Sequence, residues 1–226
     1  TGWFQMLPVD PGVCVGYRWE DRSLLVGVSR GDSKSEAQQA TIALLATGWP
    51  GSDEKLQRRI ERWWKGYWRT AAKLDVPDEN LAFLYDYGMY KFAGLTQPDG
   101  VAATLQGPWI EEYQMPPWSS DYHFNINVQM CYWPAYHGNR LEHLRPLFDM
   151  ISGWTPVLRH NARAFLGIDD GLMLPHAVDD HCTCMGGFWT GSVDHGCTAW
   201  VAQMMYRYYR YTADREFLAQ VAWPFM

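Results

Sequence analysis

Apolar positions change their period several times along this chain, and each change marks an element. Near the start, Gly16-Tyr17-Arg18-Trp19 and Ser23 to Ser29 are short runs bounded by polar turns, which predicts β-strands over residues 1–32. At Asp32-Ser33-Lys34-Ser35 the period lengthens. Ser33 or Ser35 caps a helix through Ala37, Ala40, Ile42, Leu44 and Leu45 to Gly48. Trp49-Pro50-Gly51-Ser52 breaks it, and a second helix follows from Glu54 to Leu74. Its Leu56, Ile60, Trp63, Trp64, Tyr67 and Trp68 share one wide face. Asp78 caps a third helix, Glu79 to Leu95, and Thr96 to Gly100 is a turn. Further on, the pattern predicts one long helix from Leu141 to Leu166. Pro146 fits its first turn and Pro156 kinks it. Residues 172–191 carry no period and read as an ordered, functional loop. A helix then runs from Val193 to Tyr211, Thr212-Ala213-Asp214 turns and caps, and another helix starts at Arg215.

Between the third helix and Gly138-Asn139 lies the most informative stretch. From Tyr122 to Gln129 apolar and polar residues alternate strictly, which predicts an extended backbone. Tyr122, Phe124, Ile126 and Val128 then share one side, and His123, Asn125, Asn127 and Gln129 the other. On a helix, two side chains two residues apart would diverge by roughly 200°. Extended, Asn125 and Asn127 converge on one small volume. Trp109, Trp118, Tyr122, Phe124, Tyr132 and Trp133 supply rings to wall it. Such a site suits a neutral, hydroxyl-rich ligand or an attacking water. The plain alternative is an aromatic core with an edge strand whose polar face is wet.

Composition narrows the partners. The net charge is −6, the pI is near 5.6, and the 19 Lys and Arg are scattered, so nucleic acid is not expected as a partner. Tryptophan and tyrosine are abundant, at 13 each. Rings of this kind pack between helices and also stack on the apolar faces of sugars. Five cysteines, Cys14, Cys131, Cys182, Cys184 and Cys197, make no disulfide framework. The one-residue spacer of Cys182-Thr183-Cys184 is shorter than structural zinc sites use, so these read as free thiols and no metal is expected. No cofactor is expected. No run of 18 apolar residues suggests a membrane span, and no signal peptide is visible. The abrupt start at Thr1 and the end at Met226 inside a helical pattern read as an excerpt of a longer protein.

The same central stretch carries a family resemblance. Leu105-Gln106-Gly107-Pro108-Trp109, Pro116 to Tyr122, Asn125-Ile126-Asn127, Met130 and Tyr132-Trp133-Pro134-Ala135 occur in order. Together they resemble the catalytic-domain signature of the α-L-fucosidase family of inverting glycoside hydrolases, which also includes α-galactosidases acting on the L-sugar. Arg62 to Trp68 and Asp86 to Tyr90 extend it upstream. Leu144 to Asp149, His176 to Asp180, and Tyr208 to Leu218 extend it downstream, so it covers residues 55–226.

The resemblance implies a mainly α fold, a partial (α/α)6 toroid preceded by the last strands of a β-sandwich domain and a linker helix. On that reading residues 1–32 end the sandwich, 33–52 are linker helix and turn, and 53–226 are the first half of the toroid. Asn125 and Asn127 match the family's two water-holding asparagines. An assisting aspartate and a glutamate acid are expected beyond Met226, so the excerpt alone is expected to be inactive. Inverting chemistry needs an acid on the leaving oxygen and a water activated on the opposite face, with the carboxyls about 6.5–9.5 Å apart.

Substrate contacts are expected from Trp109, Trp118, His176, Asp180, Gln129 and Glu111. Asp121 reads as a loop cap, and His181 and His195 as partners in local hydrogen bonds. Family members commonly carry Glu and Asn where this chain has Gln129 and Cys131, and His-His-Asn-Thr-Asp where it has His176-Ala177-Val178-Asp179-Asp180. These departures change the polar groups a sugar would meet.

The expected function is removal of a terminal sugar such as α-L-fucose or α-L-galactose from an oligosaccharide or glycan, in an extracellular or periplasmic setting. The alternatives are a carbohydrate-binding toroid that has lost the catalytic acids and a purely structural helical scaffold. The oligomeric state is not legible.

Overall fold

Short polar side chains set where the elements begin. The computed structural model describes residues 2–20, 22–47, 53–107, 111, 113–186 and 192–226. These fall into two compact units, Thr1–Arg69 and Thr70–Met226. The architecture is mainly α with small sheets, in keeping with part of an (α/α)6 toroid preceded by strands.

In the first unit, β1 (Gly2–Gln5), β2 (Gly12–Glu20) and β3 (Ser23–Gly31) form an antiparallel meander. The register sets Cys14 opposite Ser29 and Gly16 opposite Gly27. Ser33 then caps α1 (Lys34–Ala46), its side chain accepting from the Glu36 N–H at 3.2 Å. Helix α1 lies against the sheet, with the Thr41 hydroxyl reaching Cys14 O of β2 at 3.3 Å. A Cβ on Gly31 would sit 2.6 Å from Ala37 N, so only glycine lets the helix begin this close to the strand. In α2 (Asp53–Thr70), rings four residues apart stack along the helix, Trp63 on Tyr67 at 5.5 Å and Trp64 on Trp68 at 6.3 Å.

The second unit opens with α3 (Glu79–Leu95), which has the predicted bounds. The Asp78 carboxylate accepts from Asn80 N and Leu81 N, at 2.9 and 3.2 Å. After a loop and a 3₁₀ turn (Pro117–Ser120), β4 (Tyr122–His123) pairs antiparallel with β5 (Ala177–Val178). Then come α4 (Asn127–His137), a 3₁₀ turn (Leu141–Leu144), α5 (Arg145–Gly153) and α6 (Thr155–Asn161), which continues in a π turn, Ala162–Leu166. Helix α7 (His195–Thr212) is capped by Asp194, and Asp214 caps the helical segment that starts at Arg215.

Two expectations need correction. The extended run from Tyr122 to Gln129 stops after two residues. Residues 124–126 turn, and a helix starts at Asn127. The reason is that Val128 fits two periods. It continues Tyr122-Phe124-Ile126, but it also begins the helical set Val128, Tyr132, Ala135, Tyr136, all of which are buried. Burying that helical face in the core decides the conformation. The predicted helix from Leu141 to Leu166 is also broken, at Trp154. Pro146 and Pro156 each sit in the first turn of their own helix, where a missing N–H costs nothing.

The core of this unit is aromatic at the end near β4. The Phe124 ring is fully buried, 6.1 Å from Trp154 at an 84° interplanar angle and 6.5 Å from Tyr122. Two phenols reach from here to the loop before the 3₁₀ turn. Tyr132 OH accepts from Ala103 N at 2.8 Å, and Tyr122 OH donates to Ala102 O at 3.0 Å. Replacing Tyr132 by Phe strands a buried N–H. The expected loss is about 1–3 kcal/mol of unfolding free energy, measured by denaturant titration of the intact protein. A variant as stable as wild type would show that Ala103 is not anchored this way.

Candidate active site

Three contacts on Phe124 position the site. Besides its buried ring, its N–H donates to His176 O at 2.5 Å and its C=O accepts from Gln129 Nε2 at 2.5 Å. The chain then has only Asn125 and Ile126 before α4 begins at Asn127, with Ile126 at φ −170° and ψ −35°. The result is an open cavity of about 500 Å³. Asn125 and Asn127 both line it, together with Trp118, Asp121, His123 and His176. So both asparagines do line one hollow, although a turn brings them there and not a strand. That volume lies within the roughly 300–1,000 Å³ usual for ligand sites. Asn127 and Leu105 also border a second hollow of about 320 Å³, whose other walls are Thr104, Val128, Met130 and Cys131.

At the rim, Trp118, Ser119 and Ser120 all take left-handed backbone conformations, with φ of 48°, 56° and 55°. None is glycine, and each such residue costs roughly 1–2 kcal/mol. Hydrogen bonds hold the strained turn in place. The Ser120 hydroxyl pairs with that of Thr104 at 2.8 Å, and Leu105 N donates to Asp121 O at 3.1 Å. The turn leaves the Trp118 indole 69% exposed at the cavity, its centroid 5.6 Å from the His123 ring. An exposed indole here can stack on a ligand ring.

Lining the cavity, Asp121 and His123 form a hydrogen-bonded carboxylate–imidazole pair through Nδ1, and the His176 ring packs edge-on against His123 at 5.4 Å. Burial raises the Asp121 carboxyl above its ordinary range, while the neighbouring His123 and His176 pull it back. Burial pushes the Cys131 thiol up to about 11, so at neutral pH it is a thiol and a weak nucleophile.

The structure gathers Asn125, Asn127, Trp118 and His176 around the cavity. It does not bring Gln129 there. That side chain is fully buried behind the turn, because residue 129 falls on the inner side of α4, and its amide braces Phe124. Glu111 is exposed and outside the cavity wall. Asp180 is exposed beyond β5 and also outside the wall, while its backbone oxygen accepts from Trp154 Nε1 at 3.0 Å. Trp109 lies outside the described residues. Asp121 and His123 were missed as site residues. His123 sits on the polar side of the alternating run, which was a usable signal. Asp121 read as a cap, but its carboxylate turns to the imidazole two residues on. Cys182 and Cys184 are free thiols, the first buried, the second partly so.

Residues 45–226 match the family described as the Glycosyl hydrolase family 95 catalytic domain. The chain belongs to that family. Among similar proteins, Alpha-L-fucosidase 2 of Arabidopsis thaliana is 32% identical over 164 residues, covering 68% of this chain and 18% of that protein. Probable alpha-fucosidase A of Aspergillus niger is 30% identical over 154 residues, covering 66% of this chain and 18% of that one. The protein of the same name from Aspergillus oryzae is 29% identical over 150 residues, with 62% and 20% covered. The chain therefore spans about a fifth of the length of these curated relatives.

The strained rim yields a stability prediction. Glycine at position 119 relieves the left-handed backbone and costs some unfolded-chain entropy. Ser119→Gly is expected to raise stability by roughly 0.5–1 kcal/mol, read as a higher melting temperature. A lower one would mean that the Ser119 side chain outweighs the strain.

Proposed function

We propose that the protein containing this chain is a glycosidase that removes a terminal L-fucose, or the related L-galactose, from oligosaccharides with inversion. The observation that carries the reading is that Asn125 and Asn127 line one cavity, with the Trp118 indole at its rim, within a family 95 domain. The α-fucosidase names of its relatives support the sugar class.

Each amide offers an N–H₂ donor and a carbonyl acceptor. A water held between two such groups has its lone pairs and protons assigned, so it attacks in one orientation. That turns an encounter with bulk solvent into a positioned step. Amides are too weak as bases to take the proton alone, so a carboxylate must accept it, and a second carboxyl must protonate the leaving oxygen. Among the described residues lining the cavity, Asp121 is the sole carboxylate, and His123 occupies it. The reading therefore takes both catalytic carboxyls from residues outside this described wall. Trp118 forms a stacking face for the sugar, and His176 completes the polar wall.

The test uses the intact enzyme with an aryl α-L-fucoside, and proton NMR to identify the anomer first released. Asn125→Ala and Asn127→Ala are each expected to lower kcat roughly 10²–10⁴-fold, with smaller changes in KM, and the wild type to release the β-anomer. Full kcat in both variants, or first release of the α-anomer, would defeat the reading.

A further inference from the structure

One pair in the cavity is not used by that mechanism. The Asp121 and His123 side chains are 6% and 12% exposed, and the carboxylate sits on the ring's Nδ1. An ionised carboxylate only accepts, so Nδ1 must carry a proton. The other ring nitrogen, Nε2, has no hydrogen-bond partner among the described residues, although His123 lines the same cavity as Asn125 and Asn127. The ring is held in place by more than the carboxylate. His176 packs edge-on at 5.4 Å, and Trp118 lies tilted at 5.6 Å. In a neutral ring locked this way, Nε2 is a fixed acceptor on a residue that lines the cavity.

We propose that Asp121 is a positioning residue that fixes His123 in its Nδ1–H form, so that Nε2 accepts a hydrogen bond from a substrate hydroxyl. The inference deepens the glycosidase reading and rests on it. A sugar is rich in hydroxyl donors. An imidazole in the other tautomer would present an N–H there, and the same hydroxyl would have to accept instead of donate. Fixing the tautomer therefore selects how the sugar ring lies over the two amides. The carboxylate never touches the sugar and acts through the imidazole.

The pair also has a pH signature. The titratable groups facing it are each other and His176, and Asp180 bears on the adjoining Tyr122. A carboxyl raised by burial binds its proton more tightly in the folded chain than in the unfolded one. Its ionised form then costs stability at neutral pH, and stability returns as pH falls through the window between the unfolded and folded values. Asp121→Asn removes that cost. Activity should fall while thermal stability holds or rises, which a merely structural residue would not show.

The experiment is a double-mutant cycle in the intact enzyme with D121N, H123Q and the double variant, measuring kcat/KM against pH on an aryl α-L-fucoside and free-sugar affinity by calorimetry. Asparagine can donate to Nδ1 and so favour the wrong tautomer. D121N is expected to lose roughly 10–100-fold in kcat/KM, as other orienting partners of histidine do, and to move the acidic limb of the profile. In the H123Q background the same change should cost almost nothing. Should D121N fail to fold, D121E keeps the charge but shifts it by a methylene, and its loss should likewise vanish with H123Q. An active wild type that is indifferent to both Asp121 variants, or that loses equally in both backgrounds, overturns the positioning role alone. A wild type that neither binds nor cleaves overturns the glycosidase reading along with it.

Discussion

The cavity depends on how firmly Phe124 is held. Its ring is buried against Trp154 and Tyr122, its N–H is tied to His176 and its C=O to Gln129. A two-residue ladder such as β4 with β5 has little stability of its own. Burying one phenylalanine side chain is worth about 1.5–3 kcal/mol, the Phe124 N–H to His176 O bond extends the ladder's hold by one residue, and the Gln129 amide ties the carbonyl to α4. At the other end, the inner face of α4 is sealed in the core. Asn125 and Ile126 are stretched between two fixed points, and that is why both asparagines line one hollow. Gln129 belongs to this brace and not to the binding surface, although its Oε1 is left without a partner inside the protein.

Much of this was legible in the residues, for reasons that differ by element. Helix α3 was readable to both ends because Asp78 caps it and Thr96 follows its last apolar residue. The Asn-x-Asn pair was readable from the chemistry of its amides and from the ordered signature around it. The conformation joining them was not. Val128 satisfied both a strand and a helix pattern, and only the partners of the α4 face settle which one is bought by burial. The same ambiguity misplaced Gln129, since a residue on the polar side of a strand becomes an inward residue one turn into a helix. Asp121 escaped notice because a carboxylate two residues before a histidine is ordinary in sequence. Its meaning appears only when the strained turn at Trp118 to Ser120 swings it under the ring.

The longest run of strained backbone coincides with buried polar groups. Three successive left-handed residues, a buried carboxylate–imidazole pair and the start of a helix all meet at this cavity. Elsewhere in the second unit the helices meet mostly through apolar packing, as in the cluster of Leu144, Leu147, Phe148 and Ile151, with a few buried polar contacts such as Tyr136 OH to Met204 O. Costs of this kind persist where surrounding structure over-determines them, and they gather at sites that bind or react. The inference from geometry to site thus stands on energetics as well as on the family match.

The choice of amides over carboxylates at positions 125 and 127 follows from the same crowding. An aspartate at 127 would gain from the helix start, worth typically 0.3–1 kcal/mol. It would also bring a second negative charge into a cavity that already holds Asp121, whose carboxyl burial has raised. Two nearby carboxylates would drive one pKa higher still and leave its protonation uncertain at neutral pH. Asparagine keeps the donor and acceptor at a fixed charge state. With Asp121 committed to His123, the described wall of the cavity offers amide and imidazole hydrogen-bonding groups and one aromatic face. A charged ligand would find no free counter-charge there among the described lining residues, whereas a neutral polyol can satisfy its hydroxyls and lay an apolar face on Trp118.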